Sequence, residues 1–167
     1  MINSANIRSS LESLFAGTTG IKRKITSGAM AKGHDSALEG LSLVGLRYDI
    51  NFGDVTNHPA TPFSILSSYR LVNLPVEITL TSHLPSEIEE AARDTVRASI
   101  VASADAVAQA IGYPGNVATT SGGSATGIVS GMFQSLSIGA VQENLDKQII
   151  TCKISATAVV KVDQATT

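Results

Sequence analysis

The residues that could do chemistry in this sequence are few and lie far apart. The three histidines, His34, His58 and His83, are separated from one another and from the single cysteine, Cys152. Protein zinc sites are built from histidines and cysteines that recur at short spacing along the chain. No HxxxH, HxH or CxxC spacing occurs here. We therefore expect neither a metal centre nor a bound cofactor.

The candidate nucleophiles lack the partners that catalysis requires. A catalytic serine or cysteine needs a base within hydrogen-bond reach, and no Gly-x-Ser-x-Gly turn supports either type of residue here. Cys152 alternates with apolar residues, which predicts a small buried side chain. Glu87, Glu89 and Glu90 could form a carboxylate cluster, but they fall in the first turn of a predicted helix, where the helix dipole favours acids. These patterns indicate a protein that is not an enzyme.

A Thr/Ser/Gly-rich stretch from Val117 to Gly127 carries two adjacent glycines, as some phosphate-binding loops do. Such loops continue into a Lys-Ser/Thr pair and a helix, whose N-terminus holds the phosphate. Here neither follows, and the next segment has the pattern of a strand. The stretch is interpreted as a loop without a nucleotide.

The longest predicted helix follows the second predicted strand. Ser86 opens it, with Glu89 three residues later at the spacing of a capping box, and Gly112 with Pro114-Gly115 ends it. Apolar residues recur between these points at mostly helical spacing: Ile88, Ala92, Val96, Ile100, Val107 and Ile111. A helix of about 25 residues is roughly 38 Å long and needs a sheet along its length.

Three stretches alternate between apolar and polar residues, as strands with one buried face do. They are Leu41 to Phe52, Arg70 to Ser82 and Gln148 to Val162. A fourth stretch, Ile128 to Ile138, is also predicted as a strand, although Gly131 and Met132-Phe133 interrupt its alternation. The clean alternation of the first predicts an antiparallel sheet with one packed face and one wet face. We expect the first two strands to pair as a wide hairpin.

An amphipathic helix from Met1 to Ala16 precedes the strands, and its apolar stripe is predicted to pack on the same side of the sheet as the long helix. The predicted order is α-β-β-α-β-β. It describes a single α+β domain over residues 1–167, a two-layer sandwich with about four mainly antiparallel strands, both helices on one face and a polar tail at 163–167. The other face is a candidate open sheet face or subunit interface. It is lined by Arg47, Asp49, Thr151, Lys153 and Thr157.

Two long connections, residues 17–40 and 53–68, interrupt this pattern. The first places Lys22, Arg23, Lys24 and Lys32 ahead of its first acid, Asp35. Long loops in compact domains are usually functional or disordered. The segment is either a basic arm that contacts a partner's acids or a phosphate backbone, or a solvated loop, and it has room for a short strand around Ile21 to Ile25.

The composition limits the classes of partner. The 167 residues are 43% hydrophobic, 16% charged and 4% aromatic, with a net charge of −2. The surface must therefore be rich in Ser, Thr, Asn and Gly, and it carries no global basic field that would recruit nucleic acid. A single cysteine excludes a disulfide within the chain and suits a reducing cytosol. No apolar run has the length of a membrane span, so we expect a soluble intracellular protein.

The order of elements resembles the tail terminator (tail-completion) proteins of long-tailed bacteriophages. Besides the N-terminal helix, the resemblance lies in three stretches: VEITLTSHLPSEIEEAARDTVRASIVASADAVAQAIGYPGNV, GIVSGMFQSLSIG and QIITCKISATAVVKV. In that family a strand feeds a long helix, a short strand follows a Gly/Thr-rich loop, and an alternating strand ends the domain.

This resemblance implies a virion protein, assembled in the host cytoplasm, that forms a ring of typically six subunits on the last ring of the tail tube. The ring stops tube polymerisation and meets the neck proteins of the head, while DNA passes through the lumen without sequence recognition. Lys22, Arg23 and Lys24 would then contact the tube, a neck subunit or passing DNA. The nearest alternative is another neck or tail-tube protein, and a distant one is a small-molecule-binding α+β domain.

Overall fold

The computed structural model describes residues 7–9, 11–12, 21–23, 46–59, 69–85, 89–112 and 127–163. Residues 7–9 and 11–12 are helical, and a long helix, α1, spans Glu90–Gly112. The strands are β1 (Ile21–Arg23), β2 (Leu46–Phe52), β3 (Thr56–Asn57), β4 (Tyr69–His83), β5 (Gly127–Ile138), β6 (Gln142–Asn144) and β7 (Ile149–Asp163).

All of these strands belong to one sheet with the order β1-β2-β4-β7-β5, in which β3 also pairs with β4 and β6 with β7. Only β1 and β2 run parallel, and every other pair is antiparallel. The two central strands, β4 and β7, have 15 residues each. They pair along their whole length, from Tyr69 opposite Asp163 to His83 opposite Ile149. This long ladder is the centre of the fold.

The α+β class, the four predicted strands and the pairing of the first two are confirmed in β2, β4, β5 and β7. The expected count of about four strands is wrong, because β1, β3 and β6 add three strands of two or three residues. Segments of two or three residues are too short to show an alternating pattern in the sequence. Two of them lie within the predicted loops 17–40 and 53–68, and β6 lies between the third and fourth predicted strands. Residues 41–45 of the first predicted strand lie outside the described residues.

The core lies on one face of the sheet. On β4 and β7 it consists of alternate residues: Val72, Leu74, Val76, Ile78, Leu80, Ile150, Cys152, Ile154, Ala156, Ala158, Val160 and Val162. The same cluster includes Ile7 and Leu11 of the N-terminal helical residues and Ile100, Val107 and Ile111 of α1. Both helical parts therefore pack against the same apolar face, as burial of one stripe of each helix requires.

Helix α1 contacts the core mainly through its second half. The carbonyl of Glu89 accepts a hydrogen bond from the backbone amide of Arg93 (3.0 Å), and the helix ends at Gly112 as predicted. Ala92 was expected in the apolar stripe but is exposed, so the first turns stand away from the core. The predicted cap, Ser86, lies outside the described residues, but the predicted start is too early, because Glu89 is not helical and the helix begins at Glu90.

A proline within the central strand β4 explains why β2 and β3 are separate strands. Pro75 has no amide hydrogen to donate, and its carbonyl accepts a hydrogen bond from the Gly53 amide (2.9 Å). The ladder stops after Phe52 opposite Val76 and resumes with Thr56 opposite Asn73. Central strands tolerate proline where the neighbouring strand leaves the ladder. A Cβ at Gly53 would lie 3.0 Å from the Pro75 Cβ, so a larger residue at position 53 would require a small shift of the proline ring.

Candidate assembly surfaces

The sheet face opposite the core is polar. The strand registers place Arg47, Thr81 and Thr151 in one row across β2, β4 and β7. Parallel to it run a row of Asp49, Thr79 and Lys153 and a row of Asn51, Glu77 and Ser155. We call these nine residues, together with Thr157 of β7, the polar face.

The structure brings all five residues predicted for this face together: Arg47, Asp49, Thr151, Lys153 and Thr157. The predicted set did not include β4, which supplies the middle of every row. The alternation of β4 does place Glu77, Thr79 and Thr81 on this face, because they fill the positions between the apolar residues of that strand.

Two of the four charged residues of the polar face, Lys153 and Glu77, pair with each other. Lys153 Nζ lies 3.1 Å and 3.2 Å from the two carboxylate oxygens of Glu77. Asn51 Nδ2 donates to Asp49 Oδ2 over 3.4 Å. An exposed ion pair of this kind contributes less than about 1 kcal/mol to folding. Its main consequence is a surface that is nearly neutral and rich in hydroxyl groups.

Arg47 departs from the expectation of an open face, since only 9% of it is exposed. Its Nη2 atom is buried and has no hydrogen-bond partner, and the same holds for Thr81 Oγ1 in the next strand. Further along β4, Asn73 Oδ1 is also buried without a partner, opposite the fully buried Val159. Buried polar groups of native proteins are normally paired, so these atoms mark places where a partner is expected.

Strand β5 forms one edge of the sheet. No strand among the described residues pairs with the side of β5 that faces away from β7. Residues 134–140 are all exposed, including Leu136 (39%) and Ile138 (40%). The register shifts twice along the strand, and Ser135 adopts a left-handed backbone conformation (φ 53°). An edge that exposes both backbone groups and apolar side chains is a template for contact with another chain.

An ionic cluster joins β6 to helix α1. Glu143 of β6 accepts hydrogen bonds from the guanidinium groups of Arg97 and Arg93, the latter over 3.1 Å, and Arg97 also bonds Asp94. The hydrogen bond from Arg97 lowers the pKa of Glu143, and the bond to Glu143 in turn raises the pKa of Arg97. Sequence reasoning missed this cluster because its members lie 46 and 50 residues apart.

Of the predicted basic arm, Lys22 and Arg23 lie in β1, where their backbones are in register with Arg47 and Tyr48 of β2. The segment at 21–23 is therefore a strand of the sheet, in line with the short strand that the sequence allowed. Lys24 and Lys32 lie outside the described residues, so contact between the arm and a partner stays a prediction.

Among the described residues, the groups considered for catalysis do not converge. Cys152 is 1% exposed, its Sγ lies 3.6 Å from the Gly139 carbonyl oxygen, and burial raises the pKa of its thiol. Its predicted place in the core is confirmed. Glu89 and Glu90 are exposed at the start of α1, whereas Glu87 lies outside the described residues.

Within the ranges that the structure describes, no three His, Cys, Asp or Glu side chains are grouped to hold a metal ion. Across the same ranges, no helix has the length and apolar character needed to cross a membrane.

No protein-family model and no curated protein matches this chain. The stretches that resemble tail terminator proteins fold as the second half of β4, α1, β5 and β7. What the chain does is therefore inferred from that resemblance and from its surfaces.

Proposed function

We propose that this chain is the subunit of a ring that caps the tail tube of a long-tailed bacteriophage. The ring ends tube polymerisation and joins the tail to the neck and head. The proposal rests on the sequence resemblance and on one structural observation, the exposed edge strand β5.

The β5 edge supports contact with a second protein chain. Soluble proteins usually protect edge strands with charges, prolines, bulges or a covering segment, and of these β5 shows only its two register shifts among the described residues. Residues 134–140 include no charged residue and no proline, and the side chains of Leu136 and Ile138 are exposed. A neighbouring subunit at this edge would cover these side chains and supply backbone hydrogen-bond partners.

The polar face suits a surface that is covered in an assembly. Its hydroxyl groups and its Lys153–Glu77 pair are less costly to bury between subunits than unpaired charges are. A subunit with two different contact surfaces forms heterologous contacts, which close into a ring when the rotation between subunits allows it. The ring of six subunits, the tube and neck partners and the passage of DNA belong to the proposal through the resemblance. The net charge of −2 suits DNA transit rather than capture.

The edge is tested with the double variant Leu136→Glu/Ile138→Glu. Two carboxylates on the edge should repel a neighbouring strand, so we expect the variant to remain monomeric where the wild type forms rings, on its own or on tube ends. The matched control is Val55→Glu between β2 and β3, because Val55 is 45% exposed and strands β4 and β7 separate its strands from β5. Light scattering and negative-stain imaging measure the result. Rings formed equally by the edge variant and the control would contradict the role of β5.

The basic residues are tested separately with Lys22→Gln, Arg23→Gln and Lys24→Gln combined. If this segment contacts the tube, a neck subunit or DNA, the triple variant should assemble more weakly on tubes while its melting temperature stays close to that of the wild type. Unchanged assembly would reject the contact and leave the β5 proposal intact.

A further inference from the structure

Arg47 is a charged residue whose burial within a single subunit needs a compensating group. The residue is nine-tenths buried on the polar face, and its Nη2 atom has no hydrogen-bond acceptor among the described residues. A guanidinium remains charged at any physiological pH, so it cannot avoid the cost of burial by losing a proton. Burial of an unpaired charge is among the most costly features a fold can contain.

A second unpartnered group lies next to it. Thr81 is the register partner of Arg47, and its Oγ1 atom is likewise buried without a hydrogen-bond partner. Directly opposed residues of an antiparallel pair have Cβ atoms about 5 Å apart. The third member of the row, Thr151, directs its hydroxyl to the carbonyl oxygen of Gln142 (3.4 Å) and so does not complete the set.

We propose that Arg47 and Thr81 form a binding site for an oxyanion, either a carboxylate or a phosphate. The planar guanidinium donates two parallel hydrogen bonds to such a group, and the hydroxyl donates a third. The bound anion neutralises the buried charge. Its oxygens also accept the hydrogen bonds that Arg47 Nη2 and Thr81 Oγ1 otherwise lack. This inference does not depend on the proposed function and survives if the chain forms no ring.

None of the other charged groups of the polar face neutralises the charge of Arg47. Lys153 and Glu77 neutralise each other one or two rows away. Asp49, two residues along the same strand, accepts a hydrogen bond from Asn51. Asp49 is the rival counter-charge for Arg47, and an Asp49–Arg47 ion pair in solution would leave no role for a bound anion.

The test is the thermal stability of the whole chain in sodium phosphate and, separately, in sodium acetate, with ionic strength held constant by sodium chloride. The wild type should show a saturable rise in Tm with at least one of the two anions. At an anion concentration of 100 times Kd, the expected rise is roughly 5–10 °C. A response to phosphate alone assigns the site to phosphate groups, and a response to acetate assigns it to carboxylates.

Three variants decide whether the response comes from this site. Arg47→Gln should abolish the rise in Tm, and Thr81→Val should shift it to higher anion concentration. Lys153→Gln removes a cation from the same face and should respond as the wild type does. Should Arg47→Gln fail to fold, Arg47→Lys keeps the charge, loses the two-pronged geometry and should respond more weakly. The proposal is overturned if neither anion stabilises the wild type, or if the Arg47 and Thr81 variants respond as the wild type does.

Discussion

At the residue scale, the burial of Cys152 leads to a direct prediction about its reactivity. The thiolate is the reactive form, and burial disfavours it by raising the thiol pKa. We expect the native protein to react with a disulfide reagent on the order of a hundredfold more slowly than the unfolded chain, since reaction requires local opening. Absorbance assays at pH 8, with and without denaturant, measure the two rates. Equal rates would show that Cys152 is accessible in the native fold.

Cys152 and Arg47 show what the sequence alone could predict about single residues. The place of Cys152 in the core follows from alternation along β7, because each second residue of a strand points to the same face. The same rule places Arg47 on the opposite face, and the structure agrees. It could not reveal that Arg47 is buried there, because burial depends on residues far away in sequence that cover the position.

At the element scale, the central ladder of β4 and β7 should dominate stability. Ile78 is fully buried in the middle of β4, and its neighbour Thr79 lies on the polar face. Ile78→Ala should lower the free energy of unfolding by about 2–5 kcal/mol, through lost transfer energy and the cavity left behind. The matched control Thr79→Ala should cost less than about 1 kcal/mol. Urea denaturation measures both, and equal losses would contradict the assignment of the two faces.

The cluster between β6 and α1 should give a pH-dependent contribution to stability. The pKa of Glu143 is lowered below its ordinary value of 4.5 by its hydrogen bond to Arg97. A depressed folded-state pKa stabilises the fold above the unfolded value, and this stabilisation disappears as the pH falls through the folded pKa. Glu143→Gln should therefore lower Tm at pH 7, and the gap to the wild type should shrink below pH 4.5.

The control for that prediction is the same substitution made in an Arg97→Gln background. With the main partner removed, the change at Glu143 should have a smaller and less pH-dependent effect on Tm. If Glu143→Gln lowers Tm equally at pH 3.5 and pH 7, the ion cluster does not produce the effect.

The elements themselves divide by length into those the sequence could predict and those it could not. The four long strands and α1 each repeat an apolar period several times, so their type follows from pattern. The short strands β1, β3 and β6 exist because a long neighbour offers them backbone partners. The break between β2 and β3 follows from Pro75 in the adjacent strand, which becomes apparent only when the register is known.

At the scale of the whole molecule, the sheet has two unlike faces. One face and the helices hold the core, while the polar face and the β5 edge are the surfaces that we propose contact partners. The alternating pattern predicted this division, including the five named residues of the polar face. It did not predict that β5 is an edge strand, because strand order depends on pairing between distant segments rather than on local periodicity.

Mixing the wild-type protein with open-ended tail tubes of long-tailed bacteriophages is the decisive test of the proposal that the chain caps a tail tube as a closed ring. Light scattering gives the mass of the protein alone, and negative-stain imaging shows the tube ends. We predict closed rings, or monomers that assemble into one ring at a tube end and stop its elongation. Open-ended tubes formed by this chain alone would identify a tube protein instead, and a monomer that leaves tube ends bare would contradict the claim.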